Sequence, residues 1–106
     1  RCGFAEFSRR AGDFALAMAV VALRIEDGVV REARIALGGI GGRPVLASGA
    51  AALLISQPAN VAIARPAAER AAETCDPQDD IHAPAEYRRD LVRSMVRRAL
   101  TQAFAA

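Results

Sequence analysis

At 106 residues the chain fits one domain with a single core. Hydrophobic residues make up 53%, much of it alanine, with aromatics at 5% and no Trp, so Val, Leu, Ile and Ala must supply the core. A charged fraction of 25% and a formal net charge of +2 exclude a polyanion-seeking tail and a disordered acidic segment.

The first stretch with a distinctive pattern is Phe7 to Phe14, "FSRRAGDF". Two arginines, a Gly-Asp pair and a following apolar run are compatible with a helix cap, an anion-binding loop or a segment that touches a cofactor. Phe14 to Ile25, "FALAMAVVALRI", is ambiguous by periodicity. Its Ala, Leu and Met favour a helix, whereas Val20-Val21 and the alternation through Arg24, Ile25 and Glu26 favour a strand. Asp27-Gly28 decides for a strand, because this dipeptide is a strong hairpin signal. Val29 to Leu37 then forms the second arm, with Val30, Ala33, Ile35 and Leu37 in partial alternation. A buried strand can be nearly all apolar when both its faces are covered, so the composition of the first arm is compatible with a strand.

Gly38 to Pro44, "GGIGGRP", lacks the spacing of a dinucleotide-binding or P-loop motif and reads as a bulge or turn. Ser48 is expected to cap a short helix over Gly49 to Ile55 that turns Leu53-Leu54 inward. Gln57-Pro58 breaks it, Asn60 is a candidate cap, and a helix is expected from Pro66 to Thr74. Cys75 to Pro84 is a polar loop. Ala85 to Ala103 is the clearest helix, with Tyr87, Leu91, Val92, Met95, Val96, Ala99, Leu100 and Ala103 in a stripe at steps of three and four. Glu86 and Asp90 are spaced to pair with Arg89 and Arg93. Strands first and helices after imply a two-layer α+β sandwich.

Few residues suggest independent chemistry. Cys2 and Cys75 lie far apart and outside any CxxC, which excludes a small disulfide scaffold and supplies no zinc or iron–sulfur ligand set; two free thiols in a reducing cytoplasm are expected. His82, the sole histidine, stands beside Asp79 and Asp80 in a loop and is read as an exposed side chain rather than an acid–base group. No catalytic residue and no metal site is assigned. The apolar run Phe14 to Leu23 falls well short of the ~20 residues that span a bilayer, so no membrane span is expected. The arginines between Arg88 and Arg98 are interleaved with acids and lack stacking aromatics, so nucleic acid is not expected as a partner and a solvated face or subunit contact is preferred.

Three segments together carry a specific resemblance: "FAEFSRRAGDFALA", "ARIALGGIGGRPV" and "DIHAPAEYRRDLVRSMVRRAL". In this order and spacing they resemble the C-terminal domain of the FAD-binding medium subunit of molybdenum hydroxylases, the carbon monoxide dehydrogenase and xanthine dehydrogenase group. The resemblance implies an antiparallel sheet of three or four strands packed on three helices, within a longer subunit whose N-terminal domain holds most of the FAD. It also implies partners: a large subunit with the molybdenum cofactor and a small subunit with 2Fe-2S clusters, which pass electrons to FAD and on to an external acceptor. Phe4 aligns with an aromatic position close to the flavin ring, followed here by Ala5-Glu6-Phe7 where family members often carry a basic residue. Ser8, Arg9 and Arg10 match a turn, and Gly12-Asp13 the family's "GD". The cofactor-facing residues implied are Phe4, Ala5, Glu6, Arg9, Arg10 and Asp13. For Arg43, Tyr87 and Arg88, internal hydrogen bonding is expected instead. On this pattern "FSRRAGDF" becomes a turn between two strands. The alternative is a stand-alone interaction or dimerisation module that uses the Arg-rich last helix.

Overall fold

The computed structural model of the chain describes residues 2–7, 17–38, 45–75 and 85–105. Four antiparallel strands lie in chain order: β1 (Cys2–Phe7), β2 (Ala17–Glu26), β3 (Val29–Gly38) and β4 (Val45–Leu46). Three helices follow, α1 (Ser48–Ala52), α2 (Ala64–Thr74) and α3 (Ala85–Ala105), with a single 3-10 turn at Val61–Ile63 leading into α2. α3 packs on β1 and β2 and alongside α2, and α1 packs on β3, so the helices form one layer over one face of the sheet. This is the expected two-layer α+β sandwich, and the ambiguous apolar run is a strand over its described part, from Ala17 onward.

The hairpin forms where Asp27-Gly28 predicts it. Both residues have positive φ, +53° and +74°, which suits the turn to the right-handed twist of the two arms. The irregular alternation of β3 has a local cause. Arg24 pairs with Glu32 but Ile25 pairs with Val30, so Arg31 is an extra, bulged residue. The bulge shifts the phase by one, which lets Val30 and, beyond it, Ile35 and Leu37 all face the core. On β2 the inward residues are Ala19, Val21 and Leu23.

The helix layer answers with Leu54 from the turn after α1, Ala64, Ala67, Ala68 and Ala71 from α2, and Val92, Met95, Val96, Ala99, Leu100 and Ala103 from α3. That α3 set reproduces the predicted stripe except at its start, because Tyr87 is 40% exposed. The small residues permit close approach. A Cβ on Gly3 would lie 1.8 Å from the Ala99 carbonyl oxygen, so β1 and α3 meet backbone to backbone there.

Two local expectations change. α1 has no side-chain cap: its N-cap is Ala47, and Ser48 is already helical. It also ends at Ala52, and of the Leu53-Leu54 pair only Leu54 is buried. Asn60 does act as a cap, accepting from the Ala62 N–H at 2.9 Å. Pro66 sits in the first turn of α2, where its missing N–H costs nothing. Each side of the sheet is tied at named points. Gln102 of α3 accepts from the Phe4 N–H at 3.0 Å. Ser56 to Ala59 and Ala47 hydrogen-bond along the outer side of the hairpin turn and β3.

Candidate functional site

The sequence places its candidate residues on β1 and the segment after it. β1 alternates: Gly3 and Ala5 face α3, whereas Cys2 and Phe4 face away from the helices and are exposed. Phe4 keeps 47% of its surface open. Its backbone is held by β2 on one side and by Gln102 on the other, so the ring projects from a fixed strand. Ala5 turns the opposite way and is buried in the core, which keeps its methyl group off the surface that Phe4 presents. Glu6 pairs through its backbone with Met18. Arg9, Arg10 and Asp13 lie outside the described residues, as do Arg43, Asp79, Asp80 and His82.

The residues paired across the strands with Phe4 on the helix-free face are apolar. Direct cross-strand pairing runs Phe4 to Val20, Val20 to Ala36, and Ala36 to Leu46. Directly paired residues share a face, so these four side chains form one row across all four strands. Val20 is 42% exposed and Leu46 is 70% exposed. Met18, in the next row, lies over Gly38: its Cε is 2.7 Å from where a Cβ there would stand. Towards the hairpin the same face turns polar, with Arg24 paired to Glu26 and to Glu32, the latter at 3.2 Å.

The arginines of α3 divide in use. Arg89 Nε donates to the Ala72 carbonyl at 2.9 Å, and its Nη1 pairs with Glu86. That places a cation on the last turn of α2, which has no basic residue of its own there. Arg93 Nη1 donates to Asp90 at 2.7 Å, and its Nε faces Glu69 of α2 at 2.9 Å as an ion pair without an aligned N–H. The hydrogen bond with Asp90 is the largest cause that holds the Arg93 guanidinium above its ordinary pKa. Two arginines of the proposed contact helix are therefore engaged in fastening α3 to α2 and to its own turns. Arg97 and Arg98 remain exposed.

Among the described residues no three His, Cys, Asp or Glu side chains gather as a metal site, and no helix is long and apolar enough to cross a membrane. Neither cysteine is in a disulfide: Cys2 is exposed, and the buried Cys75 donates its thiol to the Ala72 carbonyl at 3.2 Å. The arrangement offers an apolar, aromatic-bearing surface for packing.

Residues 3–103 match the family model described as the CO dehydrogenase flavoprotein C-terminal domain. The chain belongs to this family. It is 36% identical over 101 residues to the nicotine 6-hydroxylase medium subunit of Paenarthrobacter nicotinovorans, covering 95% of this chain and 36% of that protein. It is 28% identical over 102 residues to the carbon monoxide dehydrogenase medium chain of Hydrogenophaga pseudoflava, covering 96% and 36% respectively. Among solved structures, quinoline 2-oxidoreductase from Pseudomonas putida 86 superposes with a TM-score of 0.91 at 35% identity, over 98% of this chain and 36% of that one. These relatives are oxidoreductase subunits, and this chain spans about a third of their length. Membership of the flavoprotein C-terminal domain family agrees with the three motif segments read from the sequence.

Three features of the surface escape the sequence reading. The tie from Gln102 to β1 joins residues 98 apart in the chain, and no local pattern announces it. Gly3 as a contact point has a faint signal in the small residues Ala99 and Ala103 on the α3 stripe. The apolar row needs the strand register, which the bulge at Arg31 alters.

Proposed function

We propose that the chain is the C-terminal part of a longer FAD-binding medium subunit of a molybdenum hydroxylase, and that it completes the flavin site there. The observation that carries this reading is the family match over residues 3–103 together with relatives that are medium subunits about three times as long. The substrate is oxidised at a molybdenum cofactor in a large partner subunit. Electrons then reach the flavin through 2Fe-2S clusters in a small partner subunit and leave to an external acceptor. Bound FAD supplies the redox chemistry; the protein residues here need no catalytic base.

The residues present suit that role. A half-exposed phenyl ring on a rigid strand can cover one side of a planar ring system and exclude water from it. Val20 beside it extends the dry surface. Phe4 and the segment through Asp13 form the edge turned to the flavin domain, with Arg9 and Arg10 near the cofactor. Most of the FAD is held by the part of the subunit that precedes this domain. The free, exposed thiol of Cys2 fits a reducing, cytoplasmic setting.

The competing reading, a stand-alone module that docks through α3, is weakened by the engagement of Arg89 and Arg93 inside the fold. The test is replacement of Phe4 by Ala in the full subunit. Lower flavin occupancy or altered flavin reoxidation is expected, and unchanged values of both would remove Phe4 from the site.

A further inference from the structure

We propose that Gln102 is a positioning residue of the flavin site: through the Phe4 N–H it sets where the Phe4 ring stands. This rests on the reading that Phe4 faces the flavin of a longer subunit.

Phe4 lies on the outermost strand on its side of the sheet. Residues of an antiparallel ladder alternate between hydrogen-bonded and non-hydrogen-bonded pairs. The Phe4 N–H points away from β2, to Gln102 Oε1 at 3.0 Å, so Phe4 and Val20 form a non-hydrogen-bonded pair. The ladder bonds of β1 fall instead to its neighbours Gly3 and Ala5, opposite Val21 and Ala19. Among the described residues, Gln102 is therefore the side chain that holds the backbone of Phe4 itself.

The residue before Phe4 makes that hold matter. Position 3 is a glycine where a Cβ would meet the backbone of α3 at Ala99. Glycine is the most permissive residue in φ and ψ, so it restrains the following peptide least. That peptide carries the Phe4 N–H. β2 holds its Gly3 end and Gln102 holds its Phe4 end, which together fix its plane. The plane sets the direction of the Phe4 Cα–Cβ bond, and with it the height of the ring. The close approach of α3 at Gly3 also lets a side chain as short as glutamine reach the strand edge.

Gln102 stands on the exposed side of α3, outside the buried stripe. One hydrogen bond at the surface adds little to folding stability, so its main consequence is geometric. A gap of about 0.5–1 Å between packed atoms already forfeits roughly a quarter to a half of their dispersion contact. A ring that covers a planar partner is therefore sensitive to small shifts of its strand.

The test compares two variants of the full-length subunit. Gln102→Met keeps the length and removes the oxygen; Gln102→Glu keeps an acceptor. With FAD removed, amide hydrogen exchange read by mass spectrometry should find β1 exchanging severalfold faster in Gln102→Met and at the parent rate in Gln102→Glu. With FAD bound, Gln102→Met should retain the flavin and shift its reoxidation rate severalfold, in the same direction as Phe4→Ala, and Gln102→Glu should stay near the parent. Added to Phe4→Ala, Gln102→Met should change the rate no further. Parent-like reoxidation in Gln102→Met, where Phe4→Ala shifts it, overturns the proposal. A shift that persists without the Phe4 ring, or that Gln102→Glu shares, also overturns it. A Tm for Gln102→Met more than about 8 °C below the parent assigns the residue to folding and overturns it too. Phe4→Ala with parent-like flavin content and reoxidation fails the flavin reading, and the proposal with it, even where the exchange rates show that Gln102 holds β1.

Discussion

Replacing Gly3 by Ala puts a methyl group where α3 already stands. The added Cβ would lie 1.8 Å from the Ala99 carbonyl oxygen, 2.7 Å from its carbon and 3.2 Å from the Ala103 nitrogen. Ordinary contact begins beyond 3 Å, so strand and helix must separate by more than an ångström. The obstacle is helix backbone, which no rotamer change relieves. Overpacking of this kind costs about 3 kcal/mol, at the upper end of the usual range. The smaller conformational freedom of Ala in the unfolded chain returns only about 0.5–1 kcal/mol. For a domain of this size about 1 kcal/mol corresponds to some 4–5 °C in Tm, so a fall of roughly 10 °C is expected. Thermal unfolding followed by circular dichroism reads it directly. A second variant guards the inference: adding Ala99→Gly removes a side chain but leaves the carbonyl, so Gly3→Ala/Ala99→Gly should be no more stable than Gly3→Ala alone. A Tm within about 2 °C of the parent for Gly3→Ala would refute the backbone contact, and rescue by Ala99→Gly would show that it was made by side chains.

Further outcomes follow from the helix layer and the thiols. Arg89→Leu removes the cation from the α2 C-terminus and should cost about 1–2 kcal/mol by chemical denaturation, with Arg89→Lys recovering only part, because an ammonium lacks the fork that reaches both Ala72 and Glu86. The two capping candidates should separate: Asn60→Ala should cost about 1 kcal/mol, and Ser48→Ala should stay within about 0.5 kcal/mol of the parent. The Arg93 pKa is raised, so a rise in pH removes the stability its ion pairs give only in strongly alkaline solution; the stability difference between the parent and Arg93→Gln should not change between pH 8 and pH 10. Thiol titration of the native chain should find Cys2 reacting at once and Cys75 only on unfolding.

The parts of the fold that were legible in the sequence rest on short-range chemistry. Asp27-Gly28 specifies its turn through positive φ, and the α3 stripe specifies a buried face through its spacing. Ser48 misled because a cap needs the residue outside the helix, and the chain enters α1 one residue earlier than its composition suggests. Tyr87 falls on the stripe by spacing yet stands partly exposed near the start of α3, which spacing alone does not show. The candidate site was legible only at Phe4, through the family pattern. The row around it is made by register between strands, and register is a property of pairs of segments that no single segment displays. Arg89 and Arg93 looked like a charged surface until the position of α2 showed what they hold.

If this domain completes a flavin site held mainly elsewhere in a longer subunit, as proposed, the flavin content of two purified proteins must show it, by visible absorbance and by release of FAD on denaturation. The full-length subunit should carry one FAD per chain, and the 106-residue chain alone should carry none after gel filtration with excess FAD. A full-length subunit free of flavin, or a 106-residue chain that retains FAD stoichiometrically, would contradict it.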